Sequence, residues 1–192
     1  MKVVSSILIL VGIGLLVFIF YPIAREEVKY SAHQVLPTIV KPADLTPPNK
    51  DFSIVIPKIE AVAPVIANVD TTDSKKYLPA LKKGVAQAKG TALPGQTGNV
   101  YLFAHSTDAF YNVSYYNAVF YLIGKLQKGD EVDIFYKGNL IKYQVFDKKV
   151  VNPDSSQYFG TILPGEKTLT LQTCYPPGTT LKRLVVLAKE VE

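Results

Sequence analysis

The chain has 192 residues, a net charge of +5 and a single cysteine. Without an apolar N-terminal stretch, about 160 residues remain, enough for one domain with a real core and too apolar for a disordered chain. The basic residues are scattered, in runs no longer than pairs such as Lys75-Lys76 and Lys182-Arg183; this argues against nucleic-acid binding, and a lone cysteine excludes an intrachain disulfide.

The first element is the uncharged stretch from Val3 to Ala24. As a helix rising about 1.5 Å per residue it is about 33 Å long, which matches a bilayer core. Lys2 precedes it, while the charges of Arg25, Glu26, Glu27 and Lys29 cancel behind it. That bias keeps the N-terminus in the cytoplasm and the rest of the chain outside the cell membrane. A cleaved signal peptide is the rival, but Ile23-Ala24 after Tyr21-Pro22 is a poor cleavage site. The expectation is one transmembrane helix over residues 1–24. Residues 25–51, interrupted by Pro37, Pro42, Pro47 and Pro48, read as an extended tether. His33 in that tether reads as a solvated polar residue.

Residues 52–192 form the folded part. FSIVIPKI (52–59) and APVIANV (63–69) are β-branched runs. Lys75 to Ala88 predicts one or two helical turns, broken by Pro79 and Gly84. TALPGQTGNVYLFAHS (91–106) combines turns with a strand, and a short helix is expected between Tyr115 and Leu126. EVDIFY (131–136) and LIKYQVFDKKVV (140–151) flank a KGN turn and read as a hairpin. NPDSS (152–156) reads as a turn with a helix cap. KTLTLQTC (167–174) and RLVVLAKEV (183–191) close the chain. Some seven or eight strands with little helix predict a mainly β domain, a closed or sandwiched sheet.

Side chains alternate along KTLTLQTC, so Leu169, Leu171 and Thr173 share one face and Thr168, Thr170, Gln172 and Cys174 the other. Cys174 thus lies on the more polar face, at a strand end just before a turn. The bland alternative is a buried cysteine used as a small apolar residue. If the last two strands pair, Arg183 faces Cys174, and its guanidinium would favour a thiolate or a developing oxyanion. His105 ends another apolar strand and is the only histidine of residues 52–192. A cysteine with a histidine is the minimal nucleophile and acid/base unit for acyl transfer. One cysteine and one histidine cannot close a zinc site.

These residues resemble the sortase family over most of 52–191. FSIVIPKIEAVAPV resembles the family's opening strand. LKKGVAQAKGTALPGQTGNVYLFAHS resembles the stretch leading to its catalytic histidine. LQTC at 171–174 matches the Leu-x-Thr-Cys signature, and TLKRLVV resembles the final strand with its arginine. The resemblance implies an eight-stranded sortase-type β-barrel with short helices. It implies Cys174 as nucleophile, His105 as acid/base, and Arg183 as the substrate-positioning, oxyanion-stabilising residue. It also implies surface proteins with a Leu-Pro-x-Thr-Gly-like sorting signal as substrates and an amine of the cell envelope as acceptor. Thr173 and Ser106 are further candidates for the substrate site. The TCYPPG turn looks like the smaller class D or E enzymes. No cofactor is expected from the residues, and calcium is left open. Some relatives bind calcium, but Glu60, Asp70, Asp73, Asp108, Asp130, Glu131 and Asp133 form no calcium-loop pattern. The rivals are a thiol peptidase that mainly hydrolyses, with Asp108 as a candidate helper, and an anchored β binding domain with an inert cysteine.

Overall fold

Residues 2–35, 45–106 and 119–191 are described by a computed structural model. Eight strands follow one another in the chain. They are β1 (Phe52–Ile56), β2 (Ala61–Val69), β3 (Val85–Ala88), β4 (Gly98–Phe103), β5 (Glu131–Tyr136), β6 (Asn139–Val151), β7 (Lys167–Tyr175) and β8 (Lys182–Val191). They close into a barrel in the order β1-β2-β3-β4-β7-β8-β6-β5. Two pairs, β2–β3 and β4–β7, are parallel; the remaining neighbours are antiparallel.

The period-two pattern explains the closure. Ile54, Ile56, Val100, Leu102, Leu169, Leu171, Leu184 and Val186 occupy alternate positions and fill the interior. An eight-stranded barrel is just wide enough to be filled by such side chains. Phe120, Ile123 and Leu126, from the segment after the undescribed residues 107–118, are buried in the same core. There the described chain shows turns and a 3-10 turn at Ile123–Lys125; the rest of the expected short helix lies outside the described residues. The β5–β6 hairpin turns on Lys137 (φ 50°) and Gly138 (φ 84°), with Tyr136 paired to Asn139. Two left-handed residues are what a tight two-residue hairpin needs.

Two expectations are corrected. The one or two helical turns expected within Lys75–Ala88 form helix α2, Ser74–Leu81, with β3 beginning at Val85, but the expected break at Pro79 does not occur. α2 starts on Asp73, whose carboxylate accepts from the Lys75 main-chain N–H at 2.9 Å. It runs through Pro79 and stops at Leu81, so that proline sits in the last turn and does not break the helix. Between α2 and β3 stands Gly84, where a Cβ would lie 2.3 Å from the Pro64 carbonyl oxygen of β2. The strand VAQA carries alanines where β-propensity favours branched residues, and it is buried at every position. Gln87 satisfies itself there by donating to Ala88 O at 2.7 Å and Thr91 Oγ1 at 2.8 Å, and accepts from Asn68 N–H at 2.7 Å. The second correction concerns NPDSS. A 3-10 turn follows it at Ser156–Tyr158, but no side chain caps it.

The N-terminal helix, α1, spans Lys2–Val35 and so extends past Ala24 into the expected tether. No proline stands between Pro22 and Pro37 to stop it. His33 falls within it, with a side chain outside the described residues, and so do 36–44 of the tether. Near its end, Glu27 pairs with Lys125 at 3.0 Å, and Tyr30 packs against the barrel core. Among the described residues, no helix is long and apolar enough to cross a membrane. Several side chains of α1, including those at 3–5, 19, 20, 22 and 23, are not among them.

Candidate active site

The site is built from two adjacent strand ends and one hairpin. β7 and β8 pair so that Cys174 directly opposes Arg183. β4 and β7 run parallel with Phe103 beside Gln172. Continuing that register brings His105 alongside Cys174, and the Ala104 N–H donates to Gln172 O at 3.2 Å in keeping with it. Parallel pairing matters here, because it delivers both chain segments to the same end of the barrel.

Thr173 faces the other way and is buried. Its Oγ1 donates to Ala104 O at 2.9 Å, so it fastens the residue before Cys174 to the residue before His105. Ser106 is also buried, and its hydroxyl has no hydrogen-bond partner among the described residues. It does not line the groove described next, whereas Thr173 does. Asp108 lies outside the described residues.

His105, Cys174 and Arg183 line one groove of about 460 Å³. Tyr77, Leu78 and Leu81 of α2 form one side. Pro153 and Phe159 of the β6–β7 connection form another, and Gly178, Thr179 and Thr180 of the β7–β8 loop border the end. Arg183 Nη1 donates to Thr180 O at 3.1 Å and to Lys182 O at 3.0 Å. The guanidinium is thereby tied to its own loop while it stays partly exposed.

The polar face of β7 is not a wet face. Thr168 and Thr170 are fully buried, and both hydroxyls reach Asn99 Oδ1, at 3.2 and 3.0 Å. Asn99 Nδ2 donates to Tyr158 O at 2.8 Å and so pins the β6–β7 connection over β4 and β7. Tyr101, two residues on, is buried and stacks on Phe159 with centroids 4.0 Å apart and planes at 12°. Its hydroxyl donates to Gln172 Oε1. Burial pushes the Tyr101 hydroxyl far above the usual phenol range, against the lowering influence of the Arg183 charge.

Sequence reasoning named Cys174, His105, Arg183 and Thr173 and missed the groove floor and walls. Gln172 and Tyr101 stood in the quoted motifs, and only their shared faces were visible. Phe159 and the α2 side chains join the site through chain crossings that no local pattern encodes. Among the described residues, no group of His, Cys, Asp and Glu could hold a metal ion.

Fold and groove together define a class: closed eight-stranded barrels that present a thiol, an imidazole and a guanidinium along one cleft. Residues 54–191 match the family model described as Sortase domain. The chain belongs to the sortase family, a family of cysteine transpeptidases. Sortase D of Bacillus subtilis (strain 168) is 29% identical over 139 residues, 71% of this chain and 61% of that protein. The chain thus spans about three-fifths of the length of that curated relative. Among solved structures, a Clostridium perfringens Sortase D5 transpeptidase has a TM-score of 0.60 at 25% identity, covering 85% of this chain and 89% of its own. Clostridium perfringens sortase C, solved with the C-terminal cell wall sorting motif, has a TM-score of 0.61 at 25% identity, covering 88% and 87%.

Proposed function

We propose that this chain is a membrane-anchored cysteine transpeptidase of the cell envelope. It cleaves a Leu-Pro-x-Thr-Gly-like sorting signal between Thr and Gly and joins the released acyl group to an amine. The observation that carries this reading is the convergence of Cys174, His105 and Arg183 on one groove.

The Cys174 thiolate attacks the Thr carbonyl carbon. The resulting oxyanion is stabilised by the Arg183 guanidinium, which sits directly across the hairpin. As the C–N bond breaks, His105 as imidazolium gives its proton to the departing glycine amine. The acyl group is left on Cys174 as a thioester. An incoming amine then attacks that thioester, His105 accepts its proton, and the C–S bond breaks to restore the thiolate. Water in place of the amine gives hydrolysis, the side reaction. The sorting motif present in the Clostridium perfringens sortase C structure supports this substrate class.

The anchor is proposed from the sequence: the uncharged Val3–Ala24 segment behind Lys2 fits a single span with the barrel outside. After an alkaline wash of membranes, the full chain should remain in the pellet; its release would remove the anchor. For the chemistry, the full chain in detergent micelles is incubated with Leu-Pro-x-Thr-Gly peptides and a panel of amines, and intact and product masses are read. A thioester mass on Cys174, converted to an amide by amine and lost in Cys174→Ala and His105→Ala, is the expected result. Free acid alone at high amine concentration would favour the hydrolase. An absent adduct together with a Cys174 that resists alkylation would return the inert-cysteine reading.

A further inference from the structure

Gln172 is two residues before Cys174 on the same face of β7, at the floor of the groove. Its carbonyl oxygen is occupied by the Tyr101 hydroxyl. Its amide nitrogen has no partner among the described residues, and the side chain is partly open to the groove. Tyr101 is held still. Its ring is buried against Phe159, and Phe159 follows Tyr158, whose carbonyl accepts from Asn99. Because the Tyr101 hydroxyl donates to the carboxamide oxygen, the two N–H donors of Gln172 remain for another acceptor.

An extended peptide rises about 3.3 Å per residue, so a carbonyl two residues from the one attacked by Cys174 lies about 6.6 Å away, the spacing of Gln172 from Cys174 along the strand. Tyr101, which lines the groove beside Gln172, is buried, whereas Thr180 of the β7–β8 loop is exposed. The buried side suits the acyl half, which stays on the enzyme after the leaving amine has gone.

We propose that Gln172 is a specificity-determining residue for the acyl donor: its carboxamide N–H groups, aimed by Tyr101, donate to a main-chain carbonyl of the bound peptide two residues to the acyl side of the scissile bond. This rests on the transpeptidase reading of the groove.

The test varies the donor peptide at saturating amine with the full chain in detergent micelles and reads KM and kcat separately. The rate of Cys174 alkylation by a small haloacetamide is read in parallel, because that reagent needs no peptide contact. Gln172→Glu still accepts from Tyr101 but has no donor, so its KM should rise roughly tenfold, the effect of one lost hydrogen bond. Gln172→Ala should do the same, and Tyr101→Phe, which keeps the ring stack, should raise KM less. In all three, kcat and the alkylation rate should stay within about twofold of the wild type, well below that tenfold effect. A donor peptide with the matched carbonyl replaced by a methylene should lose affinity for the wild type and none for Gln172→Ala. A wild-type KM in Gln172→Glu would overturn the proposal, since Gln172 would then serve only as an acceptor for Tyr101. A fall in kcat at unchanged KM would overturn it too, by assigning Gln172 to the setting of Cys174. A wild type that alkylates at Cys174 but turns over no donor removes the transpeptidase reading and this one with it; a working wild type with unaltered variants removes this one alone.

Discussion

Thr173 is where the packing of the barrel and the geometry of the groove can be separated by experiment. Its hydroxyl donates to Ala104 O at 2.9 Å, and Thr173 and Ala104 are 3% and 5% exposed. Thr173→Val keeps the shape but leaves the Ala104 carbonyl without that donor in a buried place. The loss is about 1–3 kcal/mol, the cost of a buried polar group left unpaired. For a domain of this size that is a fall in Tm of about 3–10 °C. Thr173→Ser keeps the hydroxyl and gives up one methyl, about 1 kcal/mol by burial. The hydroxyl also joins the strand ends that carry Cys174 and His105. Thr173→Val should therefore slow acyl transfer beyond its effect on folding, by about tenfold when measured well below Tm, if it loosens the pair by about 1.4 kcal/mol. Thr173→Ser should keep most of the rate. Thermal unfolding by circular dichroism and initial rates of amide formation measure both. If Ser proved the more damaging substitution, or Val retained wild-type stability and rate, the hydroxyl link would carry neither role.

Arg183→Lys keeps a charge but replaces a planar guanidinium that donates to the Thr180 and Lys182 carbonyls; kcat/KM should fall by about 100-fold, the usual loss of an oxyanion donor, with little change in Tm. Full activity in the lysine variant would show that charge alone suffices. Gly84→Ala places a methyl 2.3 Å from the Pro64 carbonyl oxygen, and Pro64 is locked in β2 by its pairing with Ser53. The backbone cannot give, so destabilisation of about 3 kcal/mol is expected in chemical unfolding; a wild-type midpoint would contradict the close approach. Asp133 on β5 is pushed up to about 6, first by burial and then by the neighbouring Glu131, which forms an ion pair with Lys142. A raised folded value means that its contribution to stability is intact below about pH 4 and is lost as pH rises through about 6. Asp133→Asn should thus raise Tm at pH 7–8, with the gain vanishing near pH 4; a gain independent of pH would refute this.

The barrel was legible where local pattern and tertiary role coincide. In β7, strict alternation marks an inner face, and Leu169 and Leu171 lie in the core as that alternation requires, while β1 and β4 read as apolar runs of strand length. It failed at β3, whose alanines are small because α2 packs on them: Ala86 shares a cluster with Val69, Ala80 and Leu81. No residue in VAQA announces that neighbour. On the site side, the Cys174–Arg183 opposition follows from hairpin pairing, a local rule. The approach of His105 does not, because it depends on a parallel pairing between strands separated by the whole β5–β6 hairpin. The chemistry of the residue types, a lone thiol and a lone imidazole at strand ends, stood in for that missing geometry.

The same parallel pair explains why the groove walls were the least legible part. β4 and β7 supply its floor directly, and their outer face would be solvated if the β6–β7 connection did not cover it. Asn99, Thr168 and Thr170 are polar residues on strand positions that look exposed, yet they are buried. Their function is to bind the carbonyl of Tyr158 and one another. A strand sequence that reads as half-solvated is in fact a latch for a distant loop, one that holds the connection whose Phe159 stacks on Tyr101, the partner of Gln172. Since a buried polar group is costly unless it is bonded, removing Asn99 takes the side-chain amide donor from Tyr158 O and leaves the two threonine hydroxyls only their longer bonds to Gly98 O and Tyr158 O. Asn99 thus joins β4, β7 and the β6–β7 connection through one carboxamide, beside the Tyr101–Phe159 stack that forms the wall of the groove.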